Sequence, residues 1–308
     1  MIPLLSSQNF RDFEIILVDD RSTDDTEQWI SSLSIPQLRY IKINETETGW
    51  SSKKFALQQG IACAKHPIVL LTDADCRPVS KDWIGLMTTS IGASIQACIG
   101  YSPYNKENSF LNKLIRFETL HTAAQYLSLA LAGMPYMGVG RNMAYTKKLF
   151  EDQHGFSAIK NILGGDDDLF ANNAFTSRNV FVKIDSESFV YSIPKKTYKE
   201  WVVQKTRHLH AGIYYKSITR LILGLLMGSQ ILFYLTSFSA MFIESYMSLF
   251  IIGILFRTLV LIYIFVRLNI NLKENFKWYW LPILDIIFTI NYIYIGLIAY
   301  FFNTNKWK

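Results

Sequence analysis

Three apolar stretches near the end of the chain constrain its fold more than any other feature. Residues 221–243, 247–268 and 279–302 are dominated by Leu, Ile, Phe and Tyr. Each is long enough to cross a hydrocarbon core of about 30 Å. Helices buried in a soluble domain rarely stay apolar over such lengths. The chain is therefore expected to be a multi-pass membrane protein whose first two thirds fold outside the bilayer. Arg257 and Asp285 fall inside the second and third stretches. A charge at that depth is costly, so each is expected to face protein and to pair with the other. Whether such a pair is structural or touches a lipid substrate stays open at this point.

The formal charge of the 308 residues is +6. Much of the excess lies just before the first apolar stretch, in Lys195, Lys196, Lys199, Lys205, Arg207, Lys216 and Arg220. That placement suits an anionic membrane surface or a phosphorylated ligand. There is no Lys/Arg-rich tail and no nucleic-acid motif, so nucleic acid is not an expected partner. Residues 198–216 mix bases with Trp201, Tyr214 and Tyr215 and read as an interfacial amphipathic helix, aromatics at the headgroups. Basic residues here and in the 267–277 loop put the polar domain in the cytoplasm, at the inner membrane of the cell envelope. Lys306 and Lys308 then fall on the far side, against that tendency. Cys63, Cys76 and Cys98 are odd in number and lack metal-ligand spacing, as expected of reduced thiols.

Before residue 195 the chain alternates strand and helix patterns, which argues an α/β domain with a mostly parallel sheet and right-handed crossovers. The strand Ile68-Val-Leu-Leu runs into Asp73 and Asp75. Ligands of open α/β sheets sit at carboxyl ends of strands. Two carboxylates spaced i, i+2 can share one hard cation, Mg²⁺ or Mn²⁺, that also carries a diphosphate. The competing reading is a solvated acidic turn. Phe13-Glu-Ile-Ile-Leu-Val ends likewise in Asp19 and Asp20, which can take hydrogen bonds from a base or ribose, or cap a turn. Ser22 or Thr23 is the candidate cap of the following helix, and Ser80 that of a later one. Lys53 and Lys54 open a helix, and residues 110–131 carry core-facing helical spacing. Gly138 and Gly140 punctuate a strand over residues 136–145. Asp166, Asp167 and Asp168 open a further helix, where acids favour the dipole. Three adjacent acids also repel one another, which can raise one of them into the range of a general base.

Together these motifs resemble inverting family 2 glycosyltransferases of GT-A fold over roughly residues 10 to 212. The resemblance rests on Val18-Asp19-Asp20-Arg21-Ser22, Thr72-Asp73-Ala74-Asp75, Gly165-Asp166-Asp167 and Gln204-x-x-Arg207, in that order. The last signature and the apolar stretches resemble the membrane-bound branch that includes cellulose, chitin, hyaluronan and ceramide-glucose synthases. The resemblance implies a GT-A catalytic domain over 1–195, an interfacial segment over 196–220 and three transmembrane helices over 221–308. It implies that Asp19 and Asp20 hold the nucleotide's base and ribose. Lys53 would sit near the donor, Asp73 would contact the nucleotide sugar, and Asp75, with Asp73, would hold the metal. Asp167 would be the catalytic base with Asp166 beside it. Gln204 and Arg207 would lie over the diphosphate and the acceptor entrance. The implied substrates are a nucleotide-diphosphate sugar and a lipid or glycan acceptor. Two departures stand out. His208 replaces the tryptophan that usually follows the arginine, which argues for single transfer over processive polysaccharide synthesis. The family's sheet also begins with a central strand ahead of the Val18 strand, so either the chain is a fragment or its sheet has a gap. An inactive membrane partner of another transferase, and a transporter, are the competing functions.

Overall fold

The computed structural model describes residues 1–301, so Lys306, Lys308 and the end of the third apolar stretch lie outside the described residues. The chain divides into two compact units. Among the described residues the first comprises 1–105 and 125–193, the second 106–124 and 194–301.

The first unit opens with α1 (Ile2–Ser6), β1 (Ile15–Asp20), α2 (Thr26–Ser31), β2 (Leu38–Ile43), α3 (Ser52–Cys63), β3 (Ile68–Leu71), β4 (Arg77–Pro78), α4 (Trp83–Thr88) and β5 (Ala97–Gly100). The helix α5 (Phe110–Leu131) starts in the second unit and ends in the first. Then come β6 (Met143–Thr146), α6 (Lys147–Asp152), α7 (Asp168–Ala174), β7 (Val180–Lys183) and β8 (Val190–Tyr191). β1 is rich in branched residues that favour a pleated strand, and it pairs parallel with β2 from Ile15↔Leu38 to Asp20↔Ile43. α3 packs closely on β1 because Gly60 has no side chain; a Cβ there would come within 2.8 Å of Val18 Cγ2.

The remaining strands depart from the expected parallel order. β6 runs antiparallel to both β3 and β5, and only β5 and β7 pair parallel, so this four-stranded sheet is mixed. The connection through the long α5 can return the chain in either direction, so it leaves β6 free to run antiparallel. β1 and β2 form a separate two-stranded sheet. Leu5 and Ile15 share a buried cluster with Trp83, Met87, Cys98 and Ala144, against which Met1, Ile68 and Leu70 also pack. Hydrophobic packing thus joins what backbone pairing does not. The 136–145 stretch is shorter as a strand than its pattern suggests, because residues Gly140–Asn142 form a 3₁₀ turn ahead of β6. The N-cap positions of α2 and α4 are Asp25 and Asp82, neither with a side-chain cap hydrogen bond, rather than Ser22, Thr23 or Ser80, although Ser80 Oγ accepts from Asp82 N at 3.0 Å.

The second unit is helical: the first part of α5, then α8 (Tyr198–Gly212), α9 (Ser217–Ala240), α10 (Met247–Asn271) and α11 (Leu281–Phe301). α8 starts with a capping box in which the Thr197 hydroxyl accepts from Glu200 N and the Glu200 carboxylate accepts from Thr197 N. α11 packs along α8. Trp201, expected among headgroup-facing aromatics, is instead buried at 1% exposure. Arg116 and Glu274 form a buried ion pair, and Lys205 meets Glu118 at 2.5 Å. His121 lies among Phe117, Phe265 and Phe288.

α9, α10 and the stretch from Trp278 through α11 are long and apolar enough to cross a membrane. Leu225, Leu232, Leu235, Ile252, Phe256, Leu259 and Tyr263 expose their apolar surface on α9 and α10. Arg257 and Asp285 pair at 2.6 Å, as their placement in the sequence implied.

Candidate active site

The site is built at the carboxyl ends of β1 and β3 and at the start of α3 and α7. β3 delivers Thr72 and Asp73 to the sheet's edge, and the turn that follows carries Asp75 and Cys76. One ligand atom each from Asp73, Asp75 and Cys76 lie within 4.8 Å of one another. Cys76 is fully buried, and burial pushes its thiol up to about 12, so it stays protonated. That leaves two carboxylates as ligands, a hard oxygen pair suited to Mg²⁺ or Mn²⁺ that leaves positions for phosphate oxygens and water.

Lys53, in the first turn of α3, joins distant segments. Its Nζ lies 2.8 Å from Asp166 Oδ2 and 3.8 Å from Asp73 Oδ1. The ammonium is raised by the Asp166 charge despite its own desolvation. Burial pushes Asp166 up, but the Lys53 charge outweighs it and holds the carboxyl below its ordinary value. Among the described residues Asp167 forms no ion pair, and the charge of Lys53 only partly offsets what raises it. Burial, then the charge of Asp166, push it above the ordinary carboxylate value. Its Oδ2 accepts from Gly140 N and its Oδ1 from Asp168 N, both at 2.8 Å. Of the three acids, Asp166 and Asp168 are buried and Asp167 is partly open to solvent.

The β1 end joins the same cluster. Asp20 takes a hydrogen bond from Arg21 Nε at 3.0 Å, and Arg21 Nη2 donates to Ser52 Oγ at 2.9 Å, next to Lys53. Arg21 has a φ of 64°, a left-handed conformation uncommon for a residue with a side chain. Asp19 points inward: Ser22 N donates to it at 2.8 Å and Tyr40 Oη at 2.6 Å. Burial pushes Asp19 up, these hydrogen bonds outweigh it, and the carboxyl ends below its ordinary value. Asp19 thus closes the turn, while Asp20 is the more accessible acid.

Gln204 and Arg207 stand one turn apart on α8, in the second unit, where burial lowers the pKa of the half-buried Arg207. Several residues of the site escaped the sequence reading. Lys54 is fully buried and donates to the Ile162 and Gly164 carbonyls. Asn142 is fully buried, accepts from Trp83 Nε1 at 2.9 Å and donates to the Tyr101 and Ser188 carbonyls. Arg141 donates to the Ser102 hydroxyl and carbonyl and lies over the Tyr104 ring. The one available signal was Gly138-Val-Gly140 just ahead of them, since a Cβ at Gly140 would come within 3.2 Å of Asp167 Cβ.

Carboxylates from two strand ends and one helix start, with a lysine between two of them and an acid whose pKa is raised, thus gather on one α/β scaffold. Residues 4–154 match the Glycosyl transferase family 2 model. Among solved structures, mannosyltransferase PcManGT from Pyrobaculum calidifontis, in complex with GDP-Man and Mn2+, is 15% identical with a TM-score of 0.55, covering 96% of this chain and 81% of that one. S. aureus TarS 1–349 in complex with UDP-GlcNAc is 14% identical with a TM-score of 0.45, covering 97% of this chain and 86% of that one. No curated protein matches the chain. The chain has a GT-A fold, and the match to the family 2 glycosyltransferase model covers just under half of it.

Proposed function

We propose that the protein is a membrane-bound, inverting, metal-dependent glycosyltransferase that moves a sugar from a nucleotide diphosphate to a lipid or glycan acceptor. The observation that carries this reading is Lys53 Nζ between Asp166 and Asp73, with Asp167 beside them. Acids far apart in sequence meet where a donor diphosphate and an acceptor hydroxyl can be held together. The catalytic domain, residues 1–195, faces the cytoplasm at the inner membrane, followed by the 196–220 segment and the membrane helices. The basic residues ahead of α9 support that orientation.

In the reaction the acceptor oxygen attacks the anomeric carbon as the bond to the diphosphate oxygen breaks. Asp167 takes the acceptor's proton, and the nucleoside diphosphate leaves with the bonding electron pair. Asp166, held ionised by Lys53, repels the charge on Asp167 and so keeps Asp167 the more basic of the two. Asp20, with Asp19 fixing its turn, binds the base and ribose, and Lys53 and Asp73 face the donor. A divalent cation held by Asp75 and Asp73 neutralises charge on the leaving diphosphate when bound. Gln204 and Arg207 serve the diphosphate and the acceptor entrance, Arg207 by forked hydrogen bonds to phosphate oxygens.

The test is a panel of labelled nucleotide sugars offered to the full chain in lipid, with and without Mn²⁺. Transfer from one donor that depends on the metal, and that Asp75→Asn reduces by about 10²-fold or more, is expected. Metal-independent turnover unaffected by that substitution would remove the metal assignment, and no turnover with any donor would remove the reading itself.

The raised pKa of Asp167 gives a second expectation. The base works only as a carboxylate, so activity rises with pH through its pKa and is lost below it. The acid limb of the kcat/KM profile is expected above the ordinary carboxylate range. A limb at the ordinary value would argue against Asp167 as the base.

A further inference from the structure

One face of the segment that leads into Asp166–Asp168 is tied to the start of α3. Ser51 N donates to the Lys160 carbonyl at 2.7 Å. Lys54 Nζ donates to the carbonyls of Ile162 and Gly164, and Lys53 Nζ reaches Asp166 Oδ2 at 2.8 Å. Residues 160, 162, 164 and 166 of this bent segment are thus each tied to the first residues of α3 or the residue just ahead of it. The segment then turns through Gly164 and Gly165, at φ of 77° and 82°, conformations that glycine adopts without strain.

Lys54 is the unusual member of this series. Its side chain has 0% exposure, and among the described residues no carboxylate oxygen lies within 4.0 Å of its Nζ. Burial lowers its pKa to about 8, against the pull of Asp166, Asp168 and Asp167. Burying an ammonium on backbone carbonyls alone is expensive. An apolar residue would fill the same space without that cost, but it would leave two carbonyls unpaired and the glycine turn free to move. Lys53 and Lys54 therefore divide the work on one turn of α3: one holds the side chain of Asp166, the other the backbone of the turn just ahead of it.

We propose that Lys54 is a positioning residue that fixes the 162–168 segment, and with it Asp167, against α3. The proposal rests on the reading of Asp167 as the base, which Lys54 reaches only through the backbone.

The experiment uses the full chain in lipid with Lys54→Met, Lys54→Arg and Gly164→Ala, reading kinetics and amide hydrogen exchange. In Lys54→Met, kcat is expected to fall about 10- to 100-fold, as for a base misplaced by an ångström. KM for the nucleotide sugar changes less than about threefold, since the donor contacts stay in place. Exchange speeds up over 162–168 and not over β3 or β6. Lys54→Arg recovers part of kcat. Gly164→Ala, which strains the same turn from the other side, is expected to give the same signature should Lys54→Met fail to fold. Combined with Lys54→Met where both fold, its effects fall short of additive. A kcat within about twofold of the parent, or unchanged exchange over 162–168, overturns the tether. The exchange measurement needs no donor. A parent chain that turns over no nucleotide sugar would therefore remove the functional reading, and exchange alone would then decide the tether.

Discussion

Asp167→Asn is expected to lower sugar transfer by about 10²- to 10⁴-fold, the contribution typical of a general base, while donor binding survives. The substitution keeps the shape of the side chain and removes its basicity. The two backbone contacts sharpen the expectation. Gly140 N donates to one carboxylate oxygen and Asp168 N to the other. An asparagine has one carbonyl oxygen and can serve only one of them. The amide group then faces a second donor, at a local cost of about 1–2 kcal/mol. A modest loss of stability should accompany the large loss of rate. Asp166→Asn provides the contrast. It keeps an acceptor for Lys53 at the 2.8 Å position but removes the charge there, leaving Asp73 at 3.8 Å as the charged partner, so its main effect should fall on KM for the donor. Initial rates over a range of donor concentrations for the two variants separate these outcomes. Equal effects on kcat and KM in both would mean that the two acids act as one cluster, without a distinct base.

What could be read from the sequence follows from how local each signal is. The Ile68 strand running into Asp73 and Asp75 is a local pattern, and so are the apolar stretches and the α5 helix, whose span Phe110–Leu131 matches its periodicity. That acids of the separate motifs gather in one place was implied by the family resemblance, but that Lys53 links Asp73 to Asp166 was not legible, since it depends on how α3 meets the loop ahead of α7. Strand direction was not legible. Whether β6 runs parallel or antiparallel depends on pairing with Leu71 and Ile99, which lie far away in the chain. The burial of Trp201 was missed because its pattern of bases and aromatics also fits a membrane interface; packing of α11 along α8 decides it. Lys54 was hidden by Lys53. Two adjacent lysines opening a helix read as solvated, and only the position of the Ile162 and Gly164 carbonyls reveals that one of them is buried.

Removing one partner of the Arg257–Asp285 pair is expected to destabilise the helical unit by about 3–5 kcal/mol. Asp285 is 1% exposed and collects most of the polar groups around it. Arg257 Nη2 donates at 2.6 Å, Tyr234 Oη at 2.5 Å and Gln230 Nε2 at 3.1 Å, while Gln230 also donates to Thr289 Oγ1 at 2.7 Å. α9, α10 and α11 each contribute, so one carboxylate joins three helices that are otherwise held by weakly discriminating apolar contacts. Arg257→Leu leaves that carboxylate without its cation in an apolar setting and should have the larger effect. Asp285→Asn keeps an acceptor for Tyr234 and Arg257 and should cost less. Replacing both residues, as in Arg257→Met with Asp285→Leu, removes the buried charges together and should recover much of the loss, as apolar substitutes for buried ion pairs can. Thermal aggregation of the detergent-solubilised variants gives the order of stability. The same preparations tested for sugar transfer show whether the pair also serves a substrate. An Arg257→Met, Asp285→Leu chain that regains stability without activity would give the pair a role beyond holding the helices together. Recovery of both would make it a structural joint.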